Sequence, residues 1–195
     1  MRSPRRCGGF TLVELLVTLA IFAVLALLGY PALMSILEHQ KMVGTLHEMA
    51  STMRAARLTA VRRGIDVKVT ASYTDRQLIA YRDVDDDNVV EPTDETIATS
   101  VLPKNVYFWG PLDSAPNGAA ASTFTTIPQT VTFTSSGAAS EDGSFRLRGQ
   151  NADWFEVHVE PKATGRVTIR KWVGPDLVTD WWQNGENGHN WVWNG

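Results

Sequence analysis

The sequence has 195 residues, of which 44% are hydrophobic and 20% charged, so it indicates a globular chain and excludes an intrinsically disordered one. Its formal net charge is −3, and without the first nine residues and their three arginines 15 basic and 21 acidic side chains remain. An acidic remainder argues against a general nucleic-acid-binding surface. The single cysteine, Cys7, lies among those nine residues, so a chain cleaved behind them could form no disulfide bond.

An apolar segment from Phe10 to Leu28 follows this basic start. Its length is close to the roughly 20 residues that an α-helix needs to cross a bilayer. A secretory signal peptide usually carries its small residues after the apolar run, whereas Gly8 and Gly9 precede this one. The arginines in front place the N-terminus in the cytoplasm by the positive-inside rule. We therefore predict one membrane-spanning helix, with the rest of the chain beyond about residue 35 across the membrane.

One carboxylate, that of Glu14, interrupts the apolar segment. An ionisable group in a lipid-embedded helix costs a few kcal/mol unless it finds a partner. Two interpretations remain open. Glu14 either reaches the membrane interface from the end of the helix, or it pairs with a cation of a neighbouring subunit. The α-amino group that cleavage before Phe10 would create is the obvious cation.

The segment Gly9-Phe10-Thr11-Leu12-Val13-Glu14-Leu15 resembles the class III signal and N-terminal helix of type IV pilins and pseudopilins. This resemblance implies that a prepilin peptidase cleaves between Gly9 and Phe10 and methylates the new amine of Phe10. It also implies that Glu14 aids assembly into a filament with other major and minor pilins or pseudopilins. The implied location is the inner membrane, with a periplasmic C-terminal domain and an inner-membrane assembly platform as a partner.

The helical pattern continues beyond the apolar segment, because apolar residues recur about every 3.6 positions. Arg62-Arg63-Gly64 is typical of a helix end, with cations in the last turn and glycine after it. We predict one helix from about Phe10 to Arg63, with residues 10–31 in the membrane and residues 32–63 amphipathic. The stripe predicted to face a core consists of Leu33, Ile36, Leu37, Val43, Leu46, Ala50, Met53, Ala60 and Val61.

After Gly64 the apolar period changes from 3.6 to 2, which predicts a β-rich domain over residues 64–195. An antiparallel sheet packed on the long helix buries both patterns most economically, so the predicted fold class is α+β. The segment 110–127, rich in proline, alanine and threonine, is predicted to be a long exposed loop. The predicted strands are 65–70, 77–82, 96–101, 105–109, 130–134, 144–148, 154–160 and 166–173.

Two further segments are similar to minor pilins and pseudopilins of the GspH/FimT type. They are residues 54–64, where the helix runs into the strands, and the late Gly165-Arg166-Val167-Thr168-Ile169-Arg170. The resemblance implies a structural subunit of a type II secretion pseudopilus or a type IV pilus, and no enzyme. The sequence likewise has no nucleophile elbow and no glycine-rich phosphate loop. A FimT-like DNA-binding minor pilin of natural transformation and a membrane-anchored binding protein that never polymerises remain as alternatives.

An acidic segment offers a candidate calcium site. Carboxylates fall at positions 1, 3, 5 and 12 of a calcium-loop pattern, on Asp83, Asp85, Asp87 and Asp94. Position 6 is Asn88, where the sharp turn of such loops favours glycine. A solvated acidic loop is therefore the competing interpretation. No cofactor is required by the rest of the sequence.

Arg166 and Arg170 are the candidate DNA-binding residues, because they share one strand face and the resemblance to FimT implies DNA contact in this segment. The competing interpretation is an ordinary sheet face whose arginines pair with carboxylates. Four of the seven tryptophans lie between residues 181 and 193, around a Gly/Asn-rich turn. They predict a small hairpin that packs on the sheet or on a neighbouring subunit, or a stacking platform for a sugar or nucleobase.

Overall fold

The computed structural model describes residues 10–111, 113–114, 116, 118–126, 129–149, 153–174, 180–189 and 191, except the side chains of Ala32 and Ala119. The chain divides into two compact units, Met1–Leu37 and Glu38–Gly195. Helix α1 supplies the described structure of the first unit and continues into the second, which also contains all the described strands.

Helix α1 spans Leu12–Arg63 and contains Pro31 in its interior. Gly64 follows its last residue with a φ of 64°, and the Ile65 N–H donates to the Ala60 carbonyl oxygen at 3.2 Å. This arrangement is a Schellman motif, which favours glycine because a side chain is strained in the left-handed region. The predicted helix is therefore confirmed, and its C-terminus lies at the predicted residue.

The second half of α1 buries a stripe of residues spaced three and four apart. The period of the predicted stripe is confirmed, but part of its membership is wrong. Val61 is exposed because it follows the buried Ala60 by about 100° of helical rotation, and Leu33, Ile36 and Leu37 are also exposed. The buried stripe consists of Met42, Leu46, Met49, Ala50, Met53, Ala56 and Ala60.

The strands form two antiparallel sheets, where the sequence predicted one. Sheet 1 has the order β3-β2-β1-β5, with β1 Val67–Ser72, β2 Gln77–Arg82, β3 Glu95–Val101 and β5 Thr130–Phe133. Sheet 2 has the order β4-β6-β7-β8-β9, with β4 Tyr107–Phe108, β6 Gly143–Arg148, β7 Trp154–Val159, β8 Val167–Trp172 and β9 Trp181–Trp182. Two short 3₁₀ helices span Ala119–Ala121 and Glu186–Gly188.

Each predicted strand overlaps an observed one, and the predicted β1–β2 hairpin is confirmed by the pairing of Ser72 with Gln77. The division into two sheets depends on β5, which pairs with β1 through Val67 and Phe133. In the sequence β5 lies between β4 and β6, which pair with each other in sheet 2. Periodicity within a segment reports which face is buried but not which distant strand lies beside it.

One hydrophobic core joins the helix stripe to both sheets. Phe145 of β6 is fully buried there, and its ring lies 4.9 Å from that of Phe124 and 6.5 Å from that of Phe108, measured between centroids. Phe124 and the buried Ala121 belong to the segment predicted to be an exposed loop. That prediction is wrong for these residues, because the segment inserts an aromatic ring into the core.

We predict that Phe145→Ala lowers the free energy of unfolding of the C-terminal unit by about 3–5 kcal/mol, because it leaves a cavity between two aromatic rings. Leu58→Ala is the control, since Leu58 lies on α1 with its side chain exposed. The control should change the free energy by less than about 0.5 kcal/mol. Denaturant unfolding of the full chain in an uncharged detergent measures both, and equal effects of the two substitutions would contradict the assigned core.

Candidate functional site

The start of α1 is a capping box formed by Thr11 and Glu14. The Glu14 N–H donates to Thr11 Oγ1 at 3.2 Å, and the Thr11 N–H donates to Glu14 Oε2 at 3.3 Å. The Thr11 hydroxyl also donates to Glu14 Oε2, at 3.1 Å. These bonds satisfy two backbone N–H groups that a helix start otherwise leaves without partners. Sequence reasoning missed Thr11, although Thr-x-x-Glu before an apolar run is the known signature of this motif.

The capping box fixes the position of the Glu14 carboxylate. It lies in the first turn of α1, where the helix dipole favours negative charge. Among the described residues, its hydrogen bonds all use Oε2, so Oε1 can still accept a hydrogen bond from another group. The carboxylate can therefore cap its own helix through Oε2 and still pair with a cation through Oε1.

The residues around Glu14 form a continuous exposed apolar surface. Phe10 is 76% exposed and Phe22 is 71% exposed, and the aliphatic side chains between them are exposed as well. Helix α1 is the one described helix that is long and apolar enough to cross a membrane. An apolar surface of this extent on a monomer marks contact with lipid or with other subunits.

A second group of charges lies in the loop between β2 and β3, which we call the acidic loop (residues 83–94). The side chain of Asp83 is almost fully buried, and its carboxylate accepts hydrogen bonds from Lys68 Nζ at 2.8 Å and from the N–H groups of Asp86 and Asn88 at 2.7 and 2.8 Å. Burial alone would raise the pKa of Asp83, but these hydrogen bonds outweigh it and hold that pKa well below its usual range.

The acidic loop brings together three of the four predicted calcium ligands. One carboxylate oxygen from each of Asp83, Asp85 and Asp87 lies within 4.8 Å of the other two. Asp94 has another role, because its two oxygens accept hydrogen bonds from the N–H groups of Val84 and Glu91 at 3.1 and 3.0 Å. Calcium binding itself stays a prediction.

The two candidate DNA-binding residues differ in their surroundings. Arg170 on β8 lies 2.6 Å from Glu160 and 3.8 Å from the buried Glu156, measured from nitrogen to oxygen. Arg166 precedes β8 and is exposed. The charge of Arg170 is thus balanced within sheet 2, as the competing interpretation expected, and DNA binding stays a prediction.

The described part of the tryptophan-rich tail packs on sheet 2. Trp181 is buried in β9, and the Trp191 ring lies 5.4 Å from that of Phe155, edge to face. Trp191 Nε1 also donates to the Trp182 carbonyl oxygen at 3.2 Å. The strand partner of β9 is β8, so these tryptophans extend the sheet. Trp193 lies outside the described residues.

Comparison with known families identifies the family of this chain. The model of the prokaryotic N-terminal methylation motif matches residues 4–30, and the model of the type II transport protein GspH matches residues 45–170. The second match covers more than half of the chain. The chain belongs to the GspH family. The predicted pilin-like, GspH-type assignment is thereby confirmed, and for this GspH protein the type II description favours a secretion system over a type IV pilus.

Among solved structures, this chain is similar to the minor pseudopilin EpsH from the Type 2 Secretion System of Vibrio cholerae. The two are 13% identical, with 67% of this chain and 95% of that chain covered and a TM-score of 0.40. No match is found among curated proteins.

We predict that this GspH domain loses stability as the pH falls below about 4. The unfolded chain takes up a proton on Asp83 near its ordinary pKa of 3.8, whereas the folded chain resists protonation to a lower pH. Stability from this carboxylate is therefore present above that pH and is lost as the pH decreases toward the folded pKa. The free energy of unfolding against pH should fall less steeply in Asp83→Asn than in the wild type. Equal slopes in the two proteins would show that Asp83 is not a source of the acid sensitivity.

Proposed function

We propose that this GspH protein is a minor pseudopilin, a structural subunit of a type II secretion pseudopilus with no catalytic role. The observation that supports this most is the combination of a GspH match over the β-rich unit with an exposed apolar helix in front of it. In this proposal residues 10 to about 31 lie in the inner membrane, the N-terminus is cytoplasmic and the β-rich unit is periplasmic. Its partners are other pseudopilins and the inner-membrane assembly platform.

The proposal includes processing by a prepilin peptidase between Gly9 and Phe10, with methylation of the Phe10 amine. The match of the N-terminal methylation motif to residues 4–30 supports this step. Gly9 lies outside the described residues, while Phe10 is exposed directly before the capping box. Cleavage there would leave the new cationic amine four residues before Glu14.

Glu14 is the proposed assembly residue. Its carboxylate would meet the Phe10 amine of a neighbouring subunit when the apolar helices pack together. A charge pair in a water-poor environment interacts far more strongly than one at a solvated surface. The capping box supports this role, because it holds the carboxylate in the first turn and leaves Oε1 to accept a hydrogen bond. The pair would set the axial register of one helix against the next.

We predict that Glu14→Gln greatly reduces incorporation into the pseudopilus, by tenfold or more. Glutamine can retain the capping box, so this variant removes the charge and keeps the helix start. Thr11→Ala is the matched control, since it weakens the cap and keeps the carboxylate. Sheared-filament fractions and membrane fractions, both probed for the protein, measure incorporation. Normal incorporation of Glu14→Gln, or equal loss in both variants, would refute the charge-pair role.

We further predict that the mature chain begins with N-methylated Phe10. Intact-mass and peptide mass spectrometry of protein from the native membrane would detect both the cleavage and the added methyl group. Substitution of Gly9 by a bulky residue should leave the full-length precursor. A mature chain that retains Met1, or that begins beyond the apolar run, would instead support a membrane-anchored protein that never polymerises.

A further inference from the structure

The acidic loop covers one face of sheet 1. Lys68 on β1 and Tyr81 on β2 are directly opposite each other in the strand register, so both side chains lie on the same face of the sheet. The Lys68 ammonium contacts Asp83 at 2.8 Å and Asp86 at 2.6 Å, which ties the loop to this face. Tyr81 next to it is 0% exposed, although it does not belong to the hydrophobic core cluster. The tyrosine is thus buried on the face of sheet 1 that the acidic loop contacts through Lys68.

The hydroxyl of Tyr81 has no hydrogen-bond partner among the described residues. A buried phenol hydroxyl normally finds one, because leaving it unpaired costs free energy. Tyr81 shares its sheet face with Lys68, whose ammonium contacts the acidic loop. The hydroxyl is therefore buried on the face that the loop contacts, and it can donate to an acceptor that the described residues do not supply.

The carboxylates of the acidic loop lie close together and repel one another. Asp83, Asp85, Asp86 and Asp87 lie within five consecutive residues, and Lys68 brings one positive charge to them. A bound cation would relieve the mutual repulsion of these carboxylates.

The spacing of the oxygens is compatible with a calcium ion. Two ligands of one ion can be separated by at most twice the metal–oxygen distance, which is about 4.6–5.2 Å for calcium and about 4.0–4.2 Å for magnesium. The three oxygens of Asp83, Asp85 and Asp87 lie within 4.8 Å of one another, inside the calcium limit. Hard carboxylate oxygens are also the ligands that calcium prefers.

From these contacts we propose that the acidic loop binds one Ca²⁺ through Asp83, Asp85 and Asp87, with the Tyr81 hydroxyl donating a hydrogen bond to a water molecule on the ion. Lys68 holds Asp83 in place before the ion arrives. Asp94 contributes by ordering the loop backbone. The site is separate from the first turn of α1, so its presence or absence does not bear on the assembly role of Glu14.

Calcium titration of the full chain tests this proposal. The protein is purified in an uncharged detergent, freed of metal with a chelator and titrated with CaCl₂ by calorimetry, while its melting temperature is followed. We expect a Kd between about 10⁻⁵ and 10⁻³ M, the range from sensor loops to extracellular modules. The melting temperature should rise with calcium, and more than with the same concentration of MgCl₂.

Asp85→Asn should weaken calcium binding at least tenfold. The matched control is Asp75→Asn, which removes one carboxylate from the β1–β2 turn, at the far end of β2 from Asp83. Its affinity should stay within twofold of the wild type. Asp87→Asn replaces Asp85→Asn if the latter fails to fold in the absence of calcium, as judged by circular dichroism. Tyr81→Phe should fold and bind severalfold more weakly, and unchanged affinity would remove the hydroxyl from the site.

Three results would overturn the proposal. The first is a wild type with no binding heat and no change in melting temperature at about 10 mM CaCl₂, a concentration about ten times the largest Kd expected of such loops. The second is an equal loss of affinity in Asp85→Asn and Asp75→Asn, which would indicate diffuse attraction to an acidic surface. The third is an equal stabilisation by magnesium, which would indicate general charge screening.

Discussion

A single helix has to suit two environments, and the rest of the structure depends on this constraint. Over residues 12–31 most side chains of α1 are apolar and exposed, as lipid or other helices require. Beyond Glu38 the same helix buries one stripe and exposes charged faces. The stripe consists of three methionines, three alanines and one leucine, so small and flexible side chains pack against the two sheets. The β-rich unit therefore packs on the second half of α1, whereas the first half of the helix has to suit lipid or other helices.

The sequence was most informative where physical rules act locally. The helix end at Gly64 and the β1–β2 hairpin follow from residues adjacent in the chain, and both were predictable. The partner of β5 was not, because nothing within residues 130–133 distinguishes pairing with β1 from pairing with β6. Phe124 was missed for a related reason, since one aromatic ring in a stretch rich in alanine and threonine has no period to reveal it.

The two candidate sites show the same division. The processing and assembly residues were found by resemblance to a motif. The structure added a role for Thr11, which belongs to the same motif but whose hydrogen bonds to Glu14 a sequence cannot show. In the acidic loop the alternating carboxylates could be read directly, but their partner Lys68 could not. Lys68 reaches the loop from β1, so its part depends on strand register. Asp94 fitted the pattern by position and nevertheless serves the loop backbone.

The capping box also affects the stability of a subunit in the membrane before assembly. The hydrogen bonds within the first turn offset part of the free-energy cost of placing the Glu14 carboxylate in the bilayer. A lone subunit can therefore remain in the bilayer without a neighbour. Entry into a filament would then add a cationic partner to the Glu14 carboxylate, which the capping box already holds in place. Departure from the filament would leave the carboxylate with its capping-box hydrogen bonds. In the proposed pseudopilus, such a helix would let a subunit enter and leave without exposing an uncompensated carboxylate to the membrane.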